Sequence, residues 1–242
     1  RIILDLNTDL YNNLEVNFEQ ACNMSEKNFS QEELFEMLKN GNIPQKQIAA
    51  LKIETLQNFE QAEILINNLT GCDGKIREAV ALKINEFVNI GFQEFFLNAK
   101  SAEIFANATI DINANLCRLV IDSVSVLSEN QDFMQIYSNK ILNFINESFL
   151  ELDKFIYKDK KYTINKQLFK LYWCLEALKL FYKNLSQNDL LKILERANKE
   201  SEYTIREKIA QIVINLETDV FKALKQELKN DSNYYVKNVF RS

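Results

Sequence analysis

The chain of 242 residues contains no histidine, one proline, four glycines and one tryptophan. Each scarcity removes a class of protein. Histidine is the side chain that ordinarily changes charge between about pH 5 and 8. Without it, Ser–His and Cys–His nucleophiles and the His-dependent zinc and di-iron ligand sets are excluded. Sheet proteins and loop-rich enzymes use Gly and Pro freely in their turns. A chain this poor in both is expected to be helices joined by short polar turns. Gly71 and Gly74 flank one such turn and do not form a Gly-rich phosphate loop. No apolar run reaches the roughly 18 residues of a membrane helix, and Arg1–Leu10 lack the apolar stretch of a signal peptide. Cys22, Cys72, Cys117 and Cys174 are far apart, form no C-x-x-C pair and fall in apolar patterns. They read as thiols of a reducing compartment, so a cytoplasmic location is expected.

What is present is ample core material, with 47% hydrophobic and 26% charged residues, and a charge asymmetry. Arg1–Glu151 carries 11 Lys/Arg against 22 Asp/Glu, a balance of −11, and Leu152–Ser242 carries 18 against 12, a balance of +6. That bears on partners rather than on fold.

The strongest signal is internal repetition. Placing Arg77 on Lys46, an offset of 77 − 46 = 31 residues, aligns Ala81-Leu82-Lys83-Ile84 with Ala50-Leu51-Lys52-Ile53. Val236-Lys237 follows Ile205-Arg206 by 236 − 205 = 31, and Ile205 follows Ile164 by 205 − 164 = 41. A period of about 30–45 residues is the length of one helix–turn–helix unit. Within the copies, Ile76, Val80, Ile84, Phe87 and Val88 form one amphipathic stripe, and Ile205, Ile209, Ile212, Val213 and Leu216 another.

A polar turn with Asp, then an apolar residue followed by Arg or Lys, then a helix rich in small apolar residues, resembles the second helix of a HEAT repeat. Asp73, Ile76-Arg77, Ala79 and Ala81-Leu82 carry the resemblance best, with Glu202, Ile205-Arg206 and Ala210, and Asp231 with Val236-Lys237, as further copies. The likeness runs from about Ile43 to the end. It implies an all-α, right-handed superhelix, a solenoid of about five to six helical hairpins. It also implies a concave surface that holds a protein or peptide. One domain spanning 1–242 is expected, with residues 1–40 as divergent capping helices and a break or hinge near 158–162, where the charge balance also changes.

Helices are expected near 8–23, 30–40, 44–56, 58–70, 74–90, 92–107, 113–128, 131–157, 165–185, 187–199, 203–216, 219–230 and 234–241. The longest of them, 131–157, looks long enough to kink. Ser30 with Glu33, Asp73, Ser186 with Asp189, and Thr218 read as N-caps. Gly41, Gly71 and Gly91 read as left-handed C-terminal residues, and Pro44 as a first-turn proline.

The candidate interaction surface comprises Lys46, Arg77, Arg206 and Lys237, one cation per hairpin, together with Lys160, Lys161 and Lys166. The resemblance implies that the Asp and Arg of successive repeats bond to each other. No catalytic, metal or cofactor residue is expected. The acid clusters at Glu32, Glu33 and Glu36 and at Glu147, Glu151 and Asp153 read as helix-face and first-turn carboxylates. From Lys154 to Lys183, lysines alternate with Phe155, Tyr157, Tyr162, Phe169, Tyr172, Trp173, Phe181 and Tyr182, a pattern able to follow a nucleic-acid backbone and stack on bases. Some HEAT-like proteins are glycosylases of alkylated DNA bases, which makes nucleic-acid binding the second reading. A pI of about 5.1 and the acidic first half oppose it. Trp173 lies in a leucine stripe and is expected to pack inside. A third reading is an accessory factor that loads or modifies a cofactor on a client. The leading expectation is a non-catalytic scaffold.

Overall fold

The computed structural model describes residues 26–154 and 161–241. Among them the chain is all-helical, with twelve α-helices, three short 3-10 turns and no strand. Two compact units divide it, Arg1–Ala108 with Asn113–Leu127, and Thr109–Ile112 with Ser128–Ser242. The expected helix at 8–23 lies outside the described residues, as do 155–160.

Unit 1 holds α1 (Gln31–Asn40), α2 (Ile43–Lys52), α3 (Phe59–Asn67), α4 (Gly74–Asn89), α5 (Ala99–Thr109, whose last residue falls in unit 2) and α6 (Ala114–Leu127). The even helices α2, α4 and α6 pack side by side in that order, while α1 packs on α2 and α3, and α3 on α4. Each presents a stripe at helical spacing: Ile76, Val80, Ile84, Phe87 and Val88 of α4 are all buried, as are Leu116, Val120, Val124 and Leu127 of α6.

Unit 2 holds α7 (Gln131–Asp153), α8 (Lys161–Leu178), α9 (Gln187–Asn198), α10 (Tyr203–Val213), α11 (Lys222–Lys229) and α12 (Tyr234–Asn238). Here too the even helices α8, α10 and α12 pack in succession, with α7 against α8, α9 against α10, and α11 against both α10 and α12. The odd helices are stitched together by Arg196 of α9 on Asp153 of α7 at 2.5 Å, and by Asn198 of α9 on Glu227 of α11 at 2.9 Å. Tyr137 of α7 is fully buried, and its phenol lies 2.8 Å from the Thr109 hydroxyl.

Local chemistry explains most boundaries. Ser30 and Glu33 form a reciprocal capping box, Asp73 accepts from the Lys75 N–H, and Ser186 accepts from the Asp189 N–H, as expected of those residues. Asn42 and Gln45 add a second capping box around Pro44. Gly71 and Gly91 adopt φ of 74° and 112°, the left-handed conformation that glycine permits.

Several expectations are corrected. Gly41 is not left-handed but extended, at φ −71°, and a side chain there would run into the Met37 carbonyl and the Gln45 Cβ. Closeness of the next helix, not φ, demands the glycine. Thr218 makes no side-chain cap, and the segment after it begins with a 3-10 turn, Asp219–Phe221. The helix expected at 92–107 starts instead at Ala99, capped by Asn98, after a 3-10 turn at Gln93–Phe96. The helix expected at 165–185 ends at Leu178 and begins earlier, so Lys161 and Tyr162 belong to α8 rather than to an irregular connection. Residues 158–160 of that connection lie outside the described residues.

Candidate functional site

The even helices place the expected cations at one register. Lys46, Arg77, Arg206 and Lys237 are each the fourth residue of α2, α4, α10 and α12. A cation at the first turn opposes the helix dipole, so each needs a compensating acceptor. In unit 1, Lys46 Nζ donates to Asn68 Oδ1 at 3.0 Å, reaching from α2 to the end of α3, and Arg77 Nη1 donates to the Cys72 carbonyl in the turn before its own helix. Burial pushes the adjacent Cys72 thiol up, against the pull of Arg77 and Lys46.

In unit 2, Arg206 forms a fork on Asp231, with Nε to Oδ2 at 2.6 Å and Nη2 to Oδ1 at 3.2 Å. Its Nη1 also donates to the Glu200 and Ser201 carbonyls, both at 2.9 Å. Asp231 belongs to the polar turn of the next hairpin. The guanidinium holds its carboxyl below the usual range, with Lys237 adding a smaller pull, and the carboxylate holds Arg206 above its usual value. Three of the four fourth-position cations, Lys46, Arg77 and Arg206, are thus spent on hydrogen bonds to the turns and helix ends around them.

The basic, aromatic stretch is divided between core and surface. Trp173 is only 6% exposed, and Phe181 and Tyr182 are buried. Lys154 pairs with Glu151 at 2.6 Å, and Lys170 pairs with Glu147 at 2.8 Å while lying over the Phe144 ring. Lys166 is exposed on α8 and Phe169 is 38% exposed beside it. Lys161 is the first residue of α8, and Lys160 lies outside the described residues. The acid clusters are engaged structurally: Glu33 in its capping box, Glu36 with Asn40 at 2.6 Å, and Glu147, Glu151 and Asp153 each with a cation.

Between α8 and α10 lies a charged knot that the sequence did not reveal. Glu176 meets Lys179 at 2.5 Å and Lys208 of α10 at 2.6 Å, and Lys208 lies 4.8 Å from the Tyr172 ring centroid. The Lys208 approach is an ion pair outside hydrogen-bond geometry, since Oε2 of Glu176 accepts no hydrogen bond. Burial works to raise the Glu176 pKa, but the two ammonium groups outweigh it and hold the carboxyl low. Lys208 is likewise disfavoured as a cation by burial and held charged by Glu176. A carboxyl with a lowered folded pKa contributes stability above the ordinary glutamate range, lost as pH falls through the folded value. Glu176→Gln is expected to cost about 1–2 kcal/mol at neutral pH, with the deficit shrinking in acid. Urea titrations of both proteins at a series of pH values measure it.

The second register is the ninth residue of the even helices. In unit 1 it is Leu51 on α2, 46% exposed, Leu82 on α4, 49% exposed, and the exposed Asp122 on α6. In unit 2 it is Phe169 on α8 and the half-buried Gln211 on α10. Further aromatic surface in unit 2 comes from Tyr203 of α10 stacked on Tyr235 of α12 at 5.7 Å, with Tyr234 edge-on to Tyr235. Among the described residues, no three His, Cys, Asp or Glu side chains gather as a metal site, and no helix is long and apolar enough to cross a membrane.

The described residues thus define an all-α protein. No family model matches the chain, and no curated protein matches it. Among solved structures it is similar to the crystal structure of an engineered protein, at 11% identity and a TM-score of 0.47, over 87% of this chain and 93% of that one.

Proposed function

We propose that the chain is a cytoplasmic, non-catalytic scaffold. It is built as a single HEAT-like solenoid of helical hairpins and binds a protein segment along its even helices. One observation carries this reading: two registers on those helices divide the labour. The fourth-residue cations Lys46, Arg77 and Arg206 donate within the stack, while the ninth-residue Leu51, Leu82 and Phe169 are left partly in solvent. Surface leucines scattered singly are ordinary. Leucines repeated at one register on adjacent helices form a surface, and such surfaces mark protein contacts.

Nucleic-acid binding is the competing reading, and exposed Lys166 beside Phe169 is its best support. Burial of Trp173 and pairing of Lys170 and Lys179 remove much of what stacking and phosphate contact would need.

The deciding experiment is an affinity capture from native lysate with nuclease controls, at low and high salt. The expected result is a stoichiometric protein that survives nuclease. Recovery of nucleic acid instead, released by salt and abolished by charge reversal at Lys160, Lys161 and Lys166, overturns the scaffold reading.

A further inference from the structure

Resting on that reading, we infer that the Lys166–Phe169–Trp173 face of unit 2 docks an acidic segment of the partner protein, one carboxylate of which accepts the Trp173 indole N–H. The three residues stand at i, i+3 and i+7 of α8 and so share one face, two turns long. Trp173 is 6% exposed, yet its indole N–H has no acceptor. Nearly every buried donor in a folded protein is paired, and this exception lies next to the surface. Phe169 sits edge-on to the same indole at 6.2 Å and is 38% exposed. Lys166, one turn further on, is exposed and forms no ion pair among the described residues.

The charge around this face sets the sign of the occupant. The even helices α8, α10 and α12 carry 6 Lys/Arg against 2 Asp/Glu, a balance of +4, while the odd helices α7, α9 and α11 carry 6 against 7, a balance of −1. Two further carboxylates reach the even helices from outside, Glu147 on Lys170 and Asp231 on Arg206, and they leave +2. The flanking residues Lys179, after α8, and Glu202, before α10, add one charge of each sign and change nothing. The excess is visible in the contacts. In the knot beside Tyr172, the ammonium groups of Lys179 and Lys208 share the single carboxylate of Glu176, and Lys166 has none. Such complementarity chooses partners through charge as well as contact area.

A polypeptide suits this face better than a nucleic acid. Stacking of successive bases needs a row of open rings. Here Trp173 is covered and Tyr172 has Lys208 over its ring at 4.8 Å, so Phe169 is the open ring of the three. A segment with an apolar side chain next to Asp or Glu meets Phe169 with the first and the indole N–H and Lys166 with the second.

The test is selection of a peptide-display library, unbiased in charge, against the full chain, with a single-stranded DNA oligonucleotide as a parallel probe. Trp173 is the only tryptophan of the chain, so its fluorescence reports contact at this face directly. The expected winners carry Asp or Glu beside an apolar residue and change the Trp173 emission. Lys166→Glu, a surface change, should weaken them by about tenfold and flatten their salt dependence. Trp173→Phe keeps an aromatic ring but removes the N–H, and should cost about tenfold, the loss of one hydrogen bond to a charged acceptor. Circular dichroism verifies that both variants are folded. Winners that are basic or neutral, winners that leave the emission unchanged or bind both variants as tightly as the parent, or no winners at all overturn the inference. So does an oligonucleotide that binds more tightly than the winners, or self-association of the chain that Lys166→Glu abolishes, which places the occupant in a second copy. A captured lysate protein that stays bound to Lys166→Glu and to Trp173→Phe sinks this inference alone, whereas capture of nucleic acid only sinks the scaffold reading beneath it.

Discussion

Phe87→Ala is expected to destabilise unit 1 by about 3–5 kcal/mol, the cost of removing a fully buried phenyl from a core that closes only partly. Phe87 is completely inaccessible on α4. Its ring makes an edge contact with Phe92 at 5.2 Å, and the Lys83 ammonium lies 5.5 Å from its centroid. The alanine variant therefore loses three things together: apolar burial, an aromatic pair worth about 0.5–1.5 kcal/mol beyond burial, and the ring beside a buried ammonium. The left-handed turn at Gly91 is bonded to the same residue, because the Phe92 N–H donates to the Phe87 carbonyl at 3.0 Å. Thermal unfolding monitored by circular dichroism should show a midpoint lowered by on the order of 10 °C. Phe87→Leu, which keeps most of the volume, should recover more than half of the loss.

Arg206→Ala is expected to cost about 2–4 kcal/mol, because it leaves the largely buried Asp231 charge without its counter-ion. It also strips acceptors at Glu200 and Ser201 of their donor. The double variant Arg206→Met/Asp231→Leu should be less damaging than either single truncation, since an apolar pair carries no stranded charge. The pair has a definite pH signature. Asp231 binds its proton less readily when folded, so its contribution is complete above the ordinary Asp value of about 3.9 and disappears as pH falls through its lower folded value. The raised Arg206 value acts in the opposite sense, with stability present below the unfolded arginine pKa and lost only in strong alkali. The gap in denaturant midpoint between parent and Asp231→Asn should accordingly narrow as pH drops from about 5 to about 2. A gap independent of pH would show that the charge contributes nothing.

The helices were legible because their stripes are clean. Ile76 through Val88 and Ile205 through Val213 repeat at 3.6 residues, and the caps at Ser30, Asp73 and Ser186 depend only on residues two or three positions away. The misses arise where non-local packing wins. The helix expected to reach residue 56 stops at Lys52, yet Ile53 and Leu56 are both buried in non-helical backbone. Their hydrophobicity looks like a continuing helix, and only the neighbours that receive them decide otherwise.

The candidate site was legible in half. Register on Lys46, Arg77, Arg206 and Lys237 could be read from spacing. Their acceptors at Asn68 and Cys72 could not, because one is a helix-terminal amide and the other a backbone carbonyl. The Leu51 and Leu82 surface had a signal that a periodicity search discards. Both leucines recur in the aligned repeats, but Leu82 falls out of phase with the stripe from Ile76 to Val88. A repeated apolar residue that misses the buried stripe is a surface residue by phase alone.

The fourth-residue cations also make the hairpins non-interchangeable. Each is matched to a different chemistry: Lys46 to a neutral amide, Arg77 to a peptide carbonyl, Arg206 to a carboxylate fork. Transposing the segment around Arg206 next to the one ending in Asn68 would set a guanidinium against a lone amide oxygen and leave the Asp231 carboxylate without its guanidinium fork. The order of the segments along the chain is thus written into their polar pairing. In a permuted chain, it is the mismatched polar partners that would betray the wrong sequence of hairpins.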